Sequence, residues 1–476
     1  MTSAPTTTSP IPRLSLPGLI AFGMPNVAIG ALAVALTVYL PRYYASHFGI
    51  ALGVVGAAFF AVRLIDQTFD PFIGIAMDRT HSRFGRYRLW LMCGAPVLML
   101  AVYMLFIPPG GVSYAYLIGW LFIYYIGTSL ITLSHSSWAS AIAHKYHERS
   151  RVFGIIQVIG VLGATTVLIF PIVMAKRDGS SGAGDVNTMG WFIFLAIPIG
   201  VLLAILRTPE RIVQHAADQK VSLRDYWAMV SRPDMRRIIV ADFCLALGPG
   251  WMSAIYLFYF HDARGFSLGS ASLLLFIYIV AGVLGAGVLS WIAQRAGKHR
   301  TLMFAAAGYS LGLVALSFMP KNAFALAAPF MFIMGFLASS FPLLDRAMVA
   351  DVGDAVRLEQ GMHRIGLLFA MITSVQKIAN ALSIFLTLTI LGAIGYKAKE
   401  GSINSPAVIH SLELVYLIGP VVFVMLGAAC FIGYKLDDKR HGEIRAALDE
   451  RDAMGLEAPA IEGLAGPAAR PIAEPG

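Results

Sequence analysis

Charge is what this chain lacks. Only 13% of its 476 residues are Asp, Glu, Lys or Arg, against about 25% in an ordinary soluble domain. Hydrophobic residues make up 57%. A soluble enzyme of this length would need far more polar surface to cover its core, and a disordered chain would need far fewer apolar residues. The alternating pattern of membrane-barrel strands is missing too, because long apolar runs take its place. Cysteine is scarce. Cys93, Cys244 and Cys430 each fall in an apolar run, so no disulfide framework is indicated. No HExxH or CxxC cluster is present, and no cofactor is expected. The start, Met1 to Ser15, is rich in Thr, Ser and Pro and lacks the basic region of a cleavable signal peptide. The net charge of +9 needs no nucleic-acid partner, since membrane proteins gather Lys and Arg on cytoplasmic loops.

What is present is a series of apolar runs long enough to span a bilayer. A spanning helix takes about 20 residues. Twelve candidates lie near 16–44, 51–78, 88–107, 113–142, 152–175, 189–206, 238–262, 268–293, 301–319, 323–350, 362–393 and 409–434. The long polar stretch 207–237 divides them six and six. The expected organisation is a disordered tail over 1–15, a six-helix bundle over 16–206, a central loop over 207–237, a second bundle over 238–435 and a disordered tail over 436–476. With the tails and the loops after the even-numbered helices on one side, that side carries 27 Lys and Arg and the other carries 7. This asymmetry places both termini and the central loop in the cytoplasm of a cell whose plasma (inner) membrane the protein spans.

The halves repeat weakly. Gly74-x3-Asp78-Arg79 and Arg83-Phe84-Gly85-Arg86 follow the second helix, and Gln294-Arg295-x-Gly297-Lys298 follows the eighth. Glu148-Arg149-x-Arg151 follows the fourth, and Asp354-x2-Arg357 follows the tenth. Two six-helix halves with matched basic loops predict an all-α, polytopic protein of the major facilitator fold. These loops are candidate cytoplasmic ion-pair gates, with carboxylates from Asp78, Glu148, Asp351 and Asp354 and cations from Arg79, Arg83, Arg86, Arg149, Arg151 and Arg357.

A few charges sit where they are costly. Arg63, Asp66 and Asp70 are spaced by three and four residues, so they share one face of the second helix. Asp66 lies 12 residues from Asp78, or about 18 Å along the helix, near mid-bilayer. A charge there costs at least about 2.5–3.5 kcal/mol on insertion scales. The face must turn away from lipid and hold something positive: Arg63, a proton or a metal cation. Pro71 supplies no N–H to the carbonyl of Gln67, which adds an oxygen beside two carboxylates. The bland alternative is an Arg63–Asp66 pair that only holds helices together, and it leaves Asp70 unexplained. Lys377, beside Gln376 about 16 residues into the eleventh helix, also needs a carboxylate partner, and the second helix is the expected donor; Gln376 and Lys377 are also candidates for contact with substrate. Trp138 follows Ser134, His135, Ser136 and Ser137. It reads equally as an aromatic plate for a sugar ring or as a residue of the interfacial belt. Asn26 is a site or packing residue on the first helix. Asp242 reads as an end-of-helix ion pair with Arg236 and Arg237.

The run Arg63-x2-Asp66-x3-Asp70-Pro71-x2-Gly74-x3-Asp78-Arg79-Thr80-x2-Arg83-Phe84-Gly85-Arg86-x-Arg88-x-Trp90 resembles the signature of the glycoside–pentoside–hexuronide:cation symporters, the melibiose carrier family. Val349-Ala350-Asp351-x2-Asp354, Gln376-Lys377 and Leu391-Gly392-x2-Gly395-Tyr396 extend the resemblance over about residues 16–435. It implies a secondary active symporter in which Asp66 and Asp70 bind the coupling ion, H⁺ or Na⁺, and Lys377 belongs to their charge network. It also implies that Trp138 lies near the sugar. Asn26 and Ser134 stand where melibiose carriers have sugar-binding aspartates, and Pro342 stands near the place of a tryptophan. The resemblance therefore implies a kept cation site and a changed sugar clamp. The expected substrate is a sugar, glycoside or hexuronide; a lysolipid carrier on the same scaffold is the alternative. An intramembrane aspartate-dyad enzyme is the remote one, because its acids would come from separate helices.

Overall fold

The structure, a computed structural model, describes residues 15–80, 82–142, 146–177, 182–208, 210, 223–360 and 365–453. Among these residues, twelve helices are long and apolar enough to cross a membrane. They are α1 (Pro25–Ser46), α2 (Leu52–Met77), α3 (Arg86–Phe106), α4 (Tyr114–Ile142), α5 (Arg151–Met174), α6 (Gly184–Arg207), α7 (Pro233–Ala263), α8 (Leu268–Ala296), α9 (Lys298–Ser317), α10 (Phe324–Glu359), α11 (Ile365–Ala393) and α12 (Pro406–Ala429). Large apolar side chains remain on their outer faces, as at Phe72, Leu206 and Phe304. That is the lipid-facing surface of an integral membrane protein.

The chain forms two compact units, Met1–Tyr43 with Ile65–Ile212, and Tyr44–Leu64 with Val213–Gly476. In the first, a short helix Leu16–Gly23, capped by Ser15, leads into α1. α1 lies on α5 with the backbones touching. A Cβ on Gly30 would meet Gly160 O at 1.8 Å, and one on Gly163 would meet Val27 O at 2.0 Å. Small residues allow this approach where lipid supplies no hydrophobic drive. The second unit uses the same device between α8 and α10, at Gly285 and Gly335. Tyr44–Leu64 joins the second unit rather than the first sequence half. There Phe60 stacks on Phe385 of α11 with ring centroids 5.4 Å apart.

Three boundaries differ from the sequence reading. α10 continues as helix through Gln360, because helical hydrogen bonding does not stop where apolarity does. The stretch 207–237 contains a short helix, Leu223–Val230. Residues 436–453 are not a disordered tail: Asp438–Ala453 is a helix. It docks by burying Ile444 and Leu448, and Arg451 donates to the terminal carbonyls of Arg357 and Leu358 on α10. Those carbonyls have no partner within their own helix. Residues 1–14 and 454–476 of the expected tails lie outside the described residues.

Candidate functional site

α2 is two-faced. Leu64, Ile65, Phe69, Phe72 and Ile75 are exposed, whereas Asp66 is 1% exposed and Arg63, Gln67 and Asp70 are half-buried. The charged stripe therefore faces inward, as the cost of charge in lipid requires. Asp66 Oδ1 accepts a hydrogen bond from the buried Ser129 hydroxyl of α4 at 3.0 Å. Ser129 was not among the sequence candidates. Within the apolar run of α4 a hydroxyl carries no signal until the fold sets it against a carboxylate.

The first unit also gathers Asn26, His135 and Trp138. His135 is buried and stacks on Phe22 with centroids 4.4 Å apart. Its Nε2 lies 2.7 Å from Phe22 O, so Nε2 carries the proton, because a carbonyl only accepts. Nδ1 is then the acceptor for the Asn26 amide at 3.2 Å. Among the described residues Asn26 Oδ1 makes no hydrogen bond. Trp138 is 1% exposed, which excludes the interfacial-belt reading. Phe22 meets its ring edge-on at 5.1 Å, the Arg88 guanidinium sits 5.6 Å from its centroid, and its indole N–H has no acceptor among the described residues. Ser134, by contrast, is fully buried and gives its hydroxyl to Leu130 O and Ile131 O of its own helix. It is a packing residue in this arrangement and offers no donor to a ligand.

In the second unit Gln376 does not hold its amide free for substrate. Its Nε2 donates to Asp242 Oδ1 at 2.7 Å. Asp242 is thus not paired with Arg236 or Arg237, and Arg237 instead reaches the carbonyls of Ile432 and Gly433. Asp345 of α10, absent from the sequence candidates, is a fully buried carboxyl whose two oxygens have no hydrogen-bond partner among the described residues. The signal was there, since Asp345 interrupts the apolar run of the tenth helix. Lys377 is half-buried on α11.

The gate candidates divide. Asp351 binds the Lys298 ammonium at 2.6 and 2.7 Å, and His441 approaches it at 3.4 Å. Asp354 pairs with His441 at 3.1 Å and Arg445 at 3.6 Å, and Arg357 pairs with Asp452 at 2.6 Å. Three of these cations and carboxylates belong to the helix that the sequence reading left disordered. In the first unit Arg83 and Arg86 lie over the rings of Phe84 and Tyr87. Arg79 and Arg151 are exposed and Glu148 is half-buried. The side chains of Asp78 and Arg149 lie outside the described residues. Glu210, also missed, accepts from the N–H groups of Tyr87 and Arg88 at the start of α3.

Twelve spanning helices with carboxylates turned inward define a polytopic membrane carrier. Residues 21–438 match the family described as MFS/sugar transport protein, and the chain belongs to that family. It is a secondary transporter and not an enzyme. Among similar proteins are the uncharacterized symporter YnaJ of Bacillus subtilis (25% identical, covering 94% of this chain and 97% of that one) and the isoprimeverose transporter of Lactiplantibacillus pentosus (26%, 88% and 88%). The glucuronide carrier protein homolog of Escherichia coli is 22% identical over 92% of this chain and 96% of its own. The crystal structure of the nucleoside transporter NupG matches the fold with a TM-score of 0.63 at 13% identity, covering 88% of this chain and 99% of that one.

Proposed function

We propose that this protein couples H⁺ or Na⁺ to the transport of a sugar or glycoside across the plasma (inner) membrane, with both termini in the cytoplasm. The observation that carries this reading is Asp66, buried within a spanning helix, one turn from Asp70 and hydrogen-bonded by Ser129. Two mid-span carboxylates on one face repel each other until a cation or proton binds. By linkage, the ion and the substrate raise each other's affinity by one common factor, and the loaded carrier moves by alternating access. The Asn26 amide and the unmatched indole N–H of Trp138 are the polar groups that meet sugar hydroxyls, after Phe22 or Arg88 moves aside.

The changed clamp has a consequence for substrate class. With Asn26 and Ser134 neutral, the acidic charge that would repel a hexuronide is gone, so uronides and neutral glycosides are both candidates. The names of the isoprimeverose transporter and the glucuronide carrier homolog point the same way. The ion pairs Asp351–Lys298 and Asp354–His441 support a gating role for the basic end of the second unit. Asp78, Arg79, Arg83, Arg86, Glu148, Arg149 and Arg151 serve the first unit in the same way.

Thermal-shift measurements with glycosides, hexuronides and lysolipids, each with and without Na⁺ and at two pH values, test the reading. A ligand at 100 times its Kd adds about 2.7 kcal/mol of stability. The expected result is a sugar-class ligand whose shift grows with Na⁺ or with acid. A lysolipid shift alone would overturn the substrate class, and a sugar shift indifferent to both ions would overturn coupling.

A further inference from the structure

The outward face of α11 differs from its neighbours'. In the second unit Phe304 and Leu311 stand exposed on α9, and Ile418, Val422 and Met425 on α12, as contact with lipid tails favours. α11 exposes one large apolar side chain, Ile365, at its first residue. From there to mid-span its exposed positions are Gly366, Ala370, Thr373 and Asn380, with Lys377 half-buried between the last two. Steps of four, three, four and three residues set all five on one stripe. The stripe is small and polar where a lipid-facing one would be large and apolar.

Asn380 decides what that stripe meets. It lies 15 residues from Ile365 in a helix of 29 residues, at mid-span. Thr373 on the same stripe returns its hydroxyl to Phe369 O at 2.9 Å, which is how a spanning helix absorbs a hydroxyl. The Asn380 side chain does not do this. Its backbone carbonyl accepts from the Ser383 hydroxyl at 2.7 Å, but its amide makes no hydrogen bond among the described residues. An amide carries two N–H donors and an acceptor oxygen, and lipid tails match none of them. An exposed amide in this position belongs against water, so the stripe lines an aqueous path.

Gln376 stands one turn before Asn380 on the flank of the stripe. Its Nε2 donates to Asp242 Oδ1 at 2.7 Å. An ionised carboxylate only accepts, so this bond fixes which way the amide points. The nitrogen is committed to α7, and Oε1 remains as an acceptor with no partner among the described residues. α7 also leaves room for Asn380: a Cβ on Gly250 would stand 3.1 Å from Asn380 Oδ1, so a larger residue there would crowd the amide.

We propose that Asn380 and Gln376 form a subsite that reads sugar hydroxyls, with Asp242 as the residue that positions Gln376. Asn380 offers donors and an acceptor, and Gln376 offers Oε1 to a hydroxyl donor. Both are uncharged, so the subsite reads the pattern of hydroxyls and leaves the charge of the substrate to other residues. This rests on the reading of the protein as a sugar or glycoside carrier.

The test combines thiol labelling with ligand binding on the full-length protein in proteoliposomes. A charged methanethiosulfonate should label Asn380→Cys above the wild-type level and should not label Phe304→Cys, because such reagents attack a thiolate in water. No labelling at Asn380→Cys would overturn the aqueous face. The probes are a panel of methyl glycosides, disaccharides and glucuronides. A sugar bound by the wild type should, in excess, protect Asn380→Cys. Labelling indifferent to that bound sugar would overturn the subsite and leave sugar transport standing. Labelling of Asn380→Cys with no sugar of the panel bound by the wild type would overturn the sugar reading and the subsite with it. Asn380→Ala should weaken the bound sugar by about 2- to 12-fold, the worth of one neutral hydrogen bond. The monodeoxy analogue lacking the contacted hydroxyl should bind wild type and Asn380→Ala alike. Equal losses for the parent sugar and every monodeoxy analogue would make Asn380 a packing residue and overturn the proposal.

Discussion

Gly85 and Glu210 set up a sharp local test of the geometry. Gly85 has φ 100° and ψ 156°, a region that only glycine occupies comfortably, at a cost of about 1–3 kcal/mol for other residues. A Cβ there would also stand 2.2 Å from Glu210 Oε2 and 2.7 Å from its Cδ. That carboxylate caps α3 by accepting from Tyr87 N at 2.8 Å and Arg88 N at 3.0 Å, two of the orphan donors at a helix N-terminus. Losing such a cap costs about 0.5–2 kcal/mol. Gly85→Ala should therefore cost about 1.5–5 kcal/mol locally, the backbone share plus the displaced cap. Glu210→Ala should cost only the cap share. Amide hydrogen exchange on the purified carrier reads this directly. At 1.4 kcal/mol per tenfold, Glu210→Ala should speed exchange at Tyr87 and Arg88 by about 2- to 30-fold. In the Glu210→Ala background, Gly85→Ala should lose the cap component of its effect, so the two costs should not add. Full additivity, or unchanged exchange at Tyr87 and Arg88 in Glu210→Ala, would refute the reasoning.

Two further outcomes follow from the charge clusters. Asp351→Ala and Lys298→Ala should couple in a double-mutant cycle on thermal stability by about 0.5–3 kcal/mol, because the ammonium lies 2.6 Å from a buried carboxylate; simple additivity would show that the pair does not hold α9 to α10. If Lys377 belongs to the charge network that the family resemblance implies, Lys377→Ala alone should harm folding and expression more than Lys377→Ala combined with Asp66→Asn or Asp70→Asn, because removing one member of a charge pair strands the other. Additive effects with both aspartates would remove Lys377 from that network.

The spans were legible because lipid punishes exposed polarity so heavily that apolar runs and helices nearly coincide. Asp66 and Asp70 were legible for the same reason, and their inward face follows from three- and four-residue spacing. The ion pair expected at Asp242 rests on sequence proximity, which is not spatial proximity. Arg237 and Arg236 precede Asp242 by five and six residues, which sets them about 140° and 120° around the helix from it. The true partner, Gln376, arrives from another helix. The helix Asp438–Ala453 looked disordered because it is highly charged. Its pairs Arg440–Glu443 and Arg445–Asp449 and its buried Leu448 hold it in place. Ser134 reads as a ligand by its place in the family resemblance, yet in this spanning helix its hydroxyl goes to the helix's own carbonyls.

The central claim is that Asp66 and Asp70 couple ion flow to substrate movement while other residues recognise the substrate. Proteoliposomes loaded to impose an inward H⁺ or Na⁺ gradient test it most directly, with the wild type beside Asp66→Asn and Asp70→Asn and a substrate found by thermal shift. The wild type should accumulate substrate above its external concentration, and each variant should lose accumulation while retaining substrate binding or exchange. Gradient-driven accumulation at the wild-type level by either variant would contradict the account.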